Sequence, residues 1–280
     1  MTLIDAHMHI PRLSTVKPAW ADWANRFGTP GWRDMFDGDG DPIPMRIDAL
    51  LDSEGVDRAL LFCEYSPRAT GIQTIDDNLA IRDHNPDRFR LVANVNPHLH
   101  HPIGEELERQ LNLGAVALKL HPVHGAFFPA DPEVRPVYHI CAERGIPVIV
   151  HSGVSSFPGA RSSCGDPQLL LDVIEDFPEI NFVFAHGGRG WWYETAAFLA
   201  LAKSNVWLDL SGLPPRKLPD YYAHFDLVRL AGKWIFGTDW PGVPGIRKNA
   251  AALAQIGLPD AVLQGVYGGN AAKVFAGLDI

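Results

Sequence analysis

Eight short apolar runs, each followed by a segment of helical period, constrain this chain more than any other feature. The runs are LIDAHMH, RALLFCEY, FRLVANVNP, AVALKLHP, IPVIVHSG, INFVFAHGG, VWLDLSG and WIFGTDWP. They read as nearly continuous Val, Ile, Leu and Phe, as strands covered on both faces do. Between them lie MRIDALLDSEG, TIDDNLAIRDHNP, IGEELERQLNLG, PEVRPVYHICAERG, DPQLLLDVIEDFP, WYETAAFLALAKSN, LPDYYAHFDLVRLAG and AAALAQIGLP. Several of these end at Gly or Asn or just before Pro, where helices stop. Strict alternation of strand and helix implies parallel pairing through right-handed crossovers. Eight units predict an α/β chain folded as one (β/α)8 TIM barrel spanning residues 1–280. An open doubly wound sheet would show the same alternation, so the choice rests on where the unusual polar residues fall.

They fall at the carboxyl ends of the runs. His7 and His9 close the first, Lys119 and His121 the fourth, His151 the fifth, His186 the sixth and Asp239 the eighth. Side chains two apart on a strand leave the same face, so His7 and His9 would project together. An open sheet spreads its strand ends along a line, whereas a closed barrel brings them to one axis within reach of a single ion. That convergence favours the barrel.

The bulk properties agree. A 280-residue chain that is 46% hydrophobic can bury the core of such a barrel. A net charge of −9 with no Lys/Arg cluster argues against nucleic acid or an anionic membrane as partner, which leaves a small-molecule substrate. Cys63, Cys141 and Cys164 are odd in number and form no C-x-x-C pair, so they suggest neither a disulfide framework nor a structural zinc site. No secretory leader is apparent, and no apolar run approaches the roughly 20 residues of a membrane helix. The expected location is the cytoplasm.

DAHMH, KLHP, VHSG, AHGGRG, GTDWP and the late GGNAAKVF, in that order, resemble the amidohydrolase-related branch of the metal-dependent amidohydrolase superfamily. The resemblance implies that His7, His9, His151 and Asp239 hold one divalent ion, Zn2+ by first choice and Mn2+ as the alternative, with His186 facing the substrate or a metal-bound water. Asp239 and His186 are then the expected catalytic residues. In binuclear relatives a carboxylated lysine ending the fourth strand bridges a second ion. The KLHP context is closer to the mononuclear branch, so Lys119 is read as a binder of a substrate anion. The expected activity is hydrolysis of a small cyclic or carboxylate-bearing lactone, amide or ester by activated water. The alternative is metal-dependent, non-oxidative decarboxylation of an aromatic or unsaturated acid, because the branch includes decarboxylases acting on resorcylate and aminocarboxymuconate semialdehyde. A hydratase or a metal-free lactone hydrolase ranks lower. So does a non-catalytic binding barrel, which would be expected to have lost some of these residues.

Further residues are expected at the mouth. Arg161 and Arg189 follow the fifth and sixth runs, and a planar guanidinium suits a substrate carboxylate, although a lone arginine more often pairs with Asp or Glu. His121 shares the face of Lys119, His124 could hydrogen-bond at the rim, and Trp240 would join Tyr65, Phe127 and Trp191 in an apolar lining. His84, His98, His100, His101, His139 and His224 are read as packing, capping or surface residues. Residues 11–44, with Trp20, Trp23 and Trp32, form a long loop after the first strand: a lid, a subunit contact or a packed Ω-loop. Exposed aromatics in such loops would suit a homodimer.

Overall fold

In the computed structural model, which describes residues 2–278, the first run is strand β1, Ile4–His9, buried at every position. The chain continues through β2 (Arg58–Phe62), a small antiparallel hairpin of β3 (Glu64–Ser66) and β4 (Gly71–Gln73), then β5 (Phe89–Asn94), β6 (Ala115–Leu120), β7 (Val148–Gly153), β8 (Phe182–Arg189), β9 (Val206–Asp209) and β10 (Trp234–Ile235). All but the hairpin form one parallel sheet in chain order, β1-β2-β5-β6-β7-β8-β9-β10. The segment after β10 returns to β1. The Ala6 amide donates to the Phe236 carbonyl (3.0 Å), the Asp239 amide to His7 (2.9 Å) and the His9 amide to Trp240 (3.0 Å), so the first and last strands meet. Asp5 reinforces this seam by accepting from the Thr238 hydroxyl (2.6 Å) and the Thr238 amide (3.0 Å). The eight-unit barrel read from the sequence is therefore the fold.

The helices follow their sequence signals. Ile103–Asn112 buries Ile103, Leu107, Gln110 and Leu111, which recur at the spacing of one helical face. Pro44–Glu54 and Arg135–Arg144 stop at Gly55 and Gly145, whose φ values of 75° and 65° suit a residue without Cβ. Apolar side chains on the outer strand face pack beneath the helices. A smaller set fills the barrel: Ile4, Ala6, Leu60, Phe62, Val92, Ala117, Ile149, Val183, Ala185 and Ile235. Val274, Phe275 and Leu278 at the chain's end join this inner set.

Strand alternation then carries chemistry inward. Lys119 lies two residues beyond Ala117, His151 two beyond Ile149 and Asp209 two beyond Trp207, all on the inner face. His7 and His186 break the alternation, since Ala6 and Ala185 already point inward. Local irregularities account for both: the β1–β2 register shifts between Asp5 and Met8, and His186 adopts a left-handed φ of 65°.

The segment expected as a long loop over 11–44 contains a helix, Pro18–Phe27, and 3-10 turns at Leu13–Thr15 and Trp32–Met35. Trp20 and Trp32 are buried edge to face at 5.6 Å, and Trp32 meets Phe36 at 5.9 Å. It is thus a packed cap whose Trp23 reaches Phe157 of the β7 loop at 5.8 Å. Among the described residues no helix is long and apolar enough to cross a membrane.

Candidate active site and metal centre

A cavity of about 890 Å³ opens at the carboxyl ends of the strands. Its floor carries His7, His9, Glu64, His121, His124, His151, His186, Arg189 and Asp239, and its walls include Trp20, Trp23, Phe27 and Phe157 from the cap and the β7 loop. Polar groups from six strands or their exits therefore meet beneath an aromatic rim, as a barrel site requires.

His7 and His9 do leave β1 together: their Nε2 atoms stand 3.2 Å apart. Asp239 Oδ1 lies 3.7 Å from His7 Nε2 and 3.5 Å from His9 Nε2. Three donors bound tetrahedrally at zinc distances would be separated by roughly 3.4 Å, so this triangle matches the edges of a coordination sphere. The surrounding bonds orient it. Asp209 Oδ2 accepts from His7 Nδ1 at 2.6 Å, which turns the Nε2 lone pair toward the triangle's centre. Burial first, then Lys119 and the neighbouring imidazoles, hold His7 well below its ordinary pKa and keep it a neutral donor. Burial likewise lowers His9, against the pull of Asp239 and Glu64.

Ser211 links this centre to His186. Its hydroxyl donates to Asp209 Oδ2 (2.9 Å) and lies 2.8 Å from His7 Nδ1 and 3.1 Å from His186 Nδ1. His186 Nδ1 donates to the Ser211 carbonyl (2.8 Å), so Nε2 is left as an acceptor. Burial, then Arg189 and His7, hold this ring neutral. Arg189 is half-buried, with Nε and Nη2 donating to the Val154 carbonyl at 3.3 and 3.2 Å. Its Nη1 stands beside Asp239 Oδ2 and His186 Nδ1 around Gly212, where a Cβ would lie 2.8, 3.2 and 3.4 Å from the three atoms. Arg189 makes no ion pair within 4 Å among the described residues, and the carboxylates that attract it at longer range are Asp239, a member of the triangle, and Asp209 behind His7.

The other expected residues divide. His151 lies next to the triangle rather than in it, its ring 4.6 Å from His186 and 4.2 Å from His121, and both its buried nitrogens lack a partner. Buried orphans of this kind fit a site built for a further group. Lys119 Nζ is a second orphan, 5.0 Å over the Phe62 ring. Burial pulls its pKa down to about 8, opposed by Asp209, Asp239 and Glu64. His121 lines the cavity and stacks on His124 at 3.6 Å. Arg161, in contrast, is exposed and does not line the cavity; its amide is tied to the Val123 carbonyl at 2.7 Å. Trp240 is fully buried in the outer core, because its backbone belongs to the seam with β1.

Sequence reasoning passed over Asp209, Ser211 and Glu64. Asp209 ends VWLDLSG as the histidines end their own runs, so the rule that singled them out would have found it had the seventh strand been included. Glu64 had no such signal, since it belongs to a hairpin that the run RALLFCEY concealed.

A closed parallel barrel with two imidazoles and a carboxylate converging at its mouth defines a class of proteins that assemble a divalent-metal centre at their strand ends. The amidohydrolase family profile matches residues 4–277, and the chain belongs to that family. No curated protein matches it. Solved structures share the fold, three of them as follows. An uncharacterised TIM-barrel protein from Bordetella bronchiseptica aligns over 99% of both chains at 20% identity, with a TM-score of 0.80. The 5-carboxyvanillate decarboxylase of Sphingomonas paucimobilis aligns over 98% of both at 16% identity and a TM-score of 0.69. A dihydroxybenzoic acid decarboxylase from Polaromonas, with bound manganese and 2-nitroresorcinol, aligns over 98% of this chain and 96% of its own at 16% identity and a TM-score of 0.67.

Proposed function

We propose that this chain is a metal-dependent, non-oxidative decarboxylase of a small aromatic or unsaturated carboxylic acid. The observation that carries the reading is Arg189: a guanidinium in no direct ion pair among the described residues, held by the Val154 carbonyl beside the His7–His9–Asp239 triangle on the floor of an aromatic-walled cavity. A substrate carboxylate between the triangle and Nη1 would meet charge on both sides, while its ring would lie against Trp23 and Phe157. The decarboxylases of similar fold, including two structures of 2,6-dihydroxybenzoate decarboxylase, support this choice over the hydrolysis first expected.

His7, His9 and Asp239 would hold the ion, with His151 adjacent. When bound, it supplies Lewis acidity toward the substrate's oxygens. The donor set suits zinc, and manganese is the ion recorded in the Polaromonas enzyme. Arg189 fixes the departing carboxylate. His186, neutral and with Nε2 free to accept, takes the proton of a hydroxyl next to it. Asp239, facing the cavity, hands on the proton that His186 took to the carbon that loses CO2, and the product's hydroxyl regains a proton from water. The cap's tryptophans line the cavity and limit water at its floor, and a charged carboxylate loses more solvation there than the neutral CO2 it becomes.

Hydrolysis by the same residues is the second reading, favoured by a similar structure described as a probable 2-pyrone-4,6-dicarboxylic acid hydrolase. Incubating the zinc- or manganese-loaded protein with hydroxybenzoates and carboxylated lactones in 18O-water separates the two. CO2 release without label in the organic product supports decarboxylation; labelled carboxylic acid without CO2 rejects it.

A further inference from the structure

A second constellation lies on the cavity wall, outside the residues that would hold the ion. Ser155, half-buried on the loop after β7, places Oγ 2.8 Å from His124 Nε2. His124 Nδ1 lies 2.7 Å from Glu64 Oε1, which also accepts from the Thr70 hydroxyl at 2.8 Å. Glu64 and His124 are buried, and all three residues line the cavity. A carboxylate accepts only, so Nδ1 carries the hydrogen and Nε2 accepts from Ser155. The arrangement is a hydroxyl on a base that a third group orients, the geometric signature of an activated nucleophile.

Glu64, His121 and His124 also place ligand atoms close enough together to suggest a metal site. The details oppose that reading. The His124 nitrogen nearest Glu64 carries the hydrogen it donates, His121 Nδ1 accepts from the His124 amide (3.2 Å), and the two rings are stacked 13° from parallel. In-plane lone pairs on stacked rings run side by side and do not converge on one ion. The His121 ring instead braces His124 from one side while Phe157 meets it edge-on at 5.3 Å.

We propose that Ser155, His124 and Glu64 form a serine-nucleophile site acting on small carboxylic esters that enter this cavity. Ser155 Oγ bonds to the acyl carbon as its proton passes to His124 Nε2. The bond from that carbon to the alcohol oxygen breaks, and His124 hands the proton to the departing alcohol. Water then adds to the acyl-serine, losing a proton to His124, and the acid leaves as Ser155 regains its hydrogen. Glu64 is a positioning residue that holds the tautomer. The site does not depend on the decarboxylase reading, because labelling needs no turnover of a carboxylic acid.

The test is to treat the metal-loaded protein with a fluorophosphonate ester and locate adducts by peptide mass spectrometry. The expected result is one phosphonyl group, on Ser155, with fluoride released. Ser155→Ala should abolish the adduct and the hydrolysis of p-nitrophenyl acetate that accompanies it. His124→Ala should slow labelling by about 100-fold or more. Glu64→Gln, which keeps size and one acceptor, should slow it about tenfold or more while circular dichroism stays unchanged. A structural clasp between the loops would leave Ser155 unlabelled. Absence of the Ser155 adduct, or labelling of folded Glu64→Gln at the wild-type rate, overturns the proposal.

Discussion

Replacing Asp209 with Asn exchanges one oxygen for an NH2 group and should disable the metal centre. Asp209 makes three contacts: Oδ2 accepts from His7 Nδ1 at 2.6 Å and from the Ser211 hydroxyl at 2.9 Å, and Oδ1 accepts from the Ser211 amide at 2.8 Å. Asparagine has one accepting oxygen. If it stays with the Ser211 amide, the NH2 group faces His7 Nδ1, which must then accept; the ring's hydrogen moves to Nε2, where the ion would bind. The lost bond is charge-assisted, and such bonds contribute about 1.5–3 kcal/mol. As an affinity that is roughly 10- to 150-fold, in line with the ~10–100-fold typical when a partner behind a metal-bound histidine is removed. The assay is competition for zinc against a chromophoric chelator, with circular dichroism to confirm folding. Wild-type zinc affinity in a folded Asp209→Asn protein would refute the orienting role.

Three other outcomes are expected. Arg189→Met should raise KM for a carboxylate substrate by about 10- to 150-fold, from loss of a charge-assisted contact of about 1.5–3 kcal/mol, and an unchanged KM would detach Arg189 from recognition. Gly212→Ala should lower stability by about 1–3 kcal/mol, because φ is 66° and the new Cβ would stand 2.8 Å from Arg189 Nη1. A thermal melt checks it, and an unchanged Tm would contradict the strain. In the metal-free protein, His7, His121, His151 and His186 are held well below their ordinary pKa, primarily by burial. Asp5 and Asp209 are pushed up to about 7, also primarily by burial. Unfolding below pH ~6.5 takes up protons on the imidazoles and releases them from the carboxylates, a net uptake that grows toward roughly two by pH ~5.5, so stability present near pH 7.5 falls on acidification at a rate that approaches about 3 kcal/mol per pH unit. Urea midpoints that do not move between pH 7.5 and 5.5 would contradict this.

The barrel was legible because each strand is covered on both faces and therefore spells itself as an apolar run, and because helix stops such as Gly55 and Gly145 are local chemistry. The His7–His9 pair was legible from a period of two. Alternation within strands also places Lys119, His151 and Asp209 on the inner face. What it could not place was His186, which turns inward only through a backbone twist, or the bulge that admits His7 next to Ala6. Arg161 and Trp240 show the opposite limit. Both sit near strand ends in sequence, but a loop hydrogen bond leaves one in solvent, and the β1 seam draws the other into the core. The helix Pro18–Phe27 was hidden because its residues pack against the cap's own tryptophans and the β7 loop, and such contacts have no fixed spacing.

His186 and Asp239 both hold φ at 65°, a conformation that costs an ordinary L-residue about 1–2 kcal/mol and glycine almost nothing. On the proposed chemistry, backbone strain and turnover are tied at these two positions: glycine would relieve the strain but remove the side chains that handle the proton, so a hardened variant should be sought by changes on the helices instead.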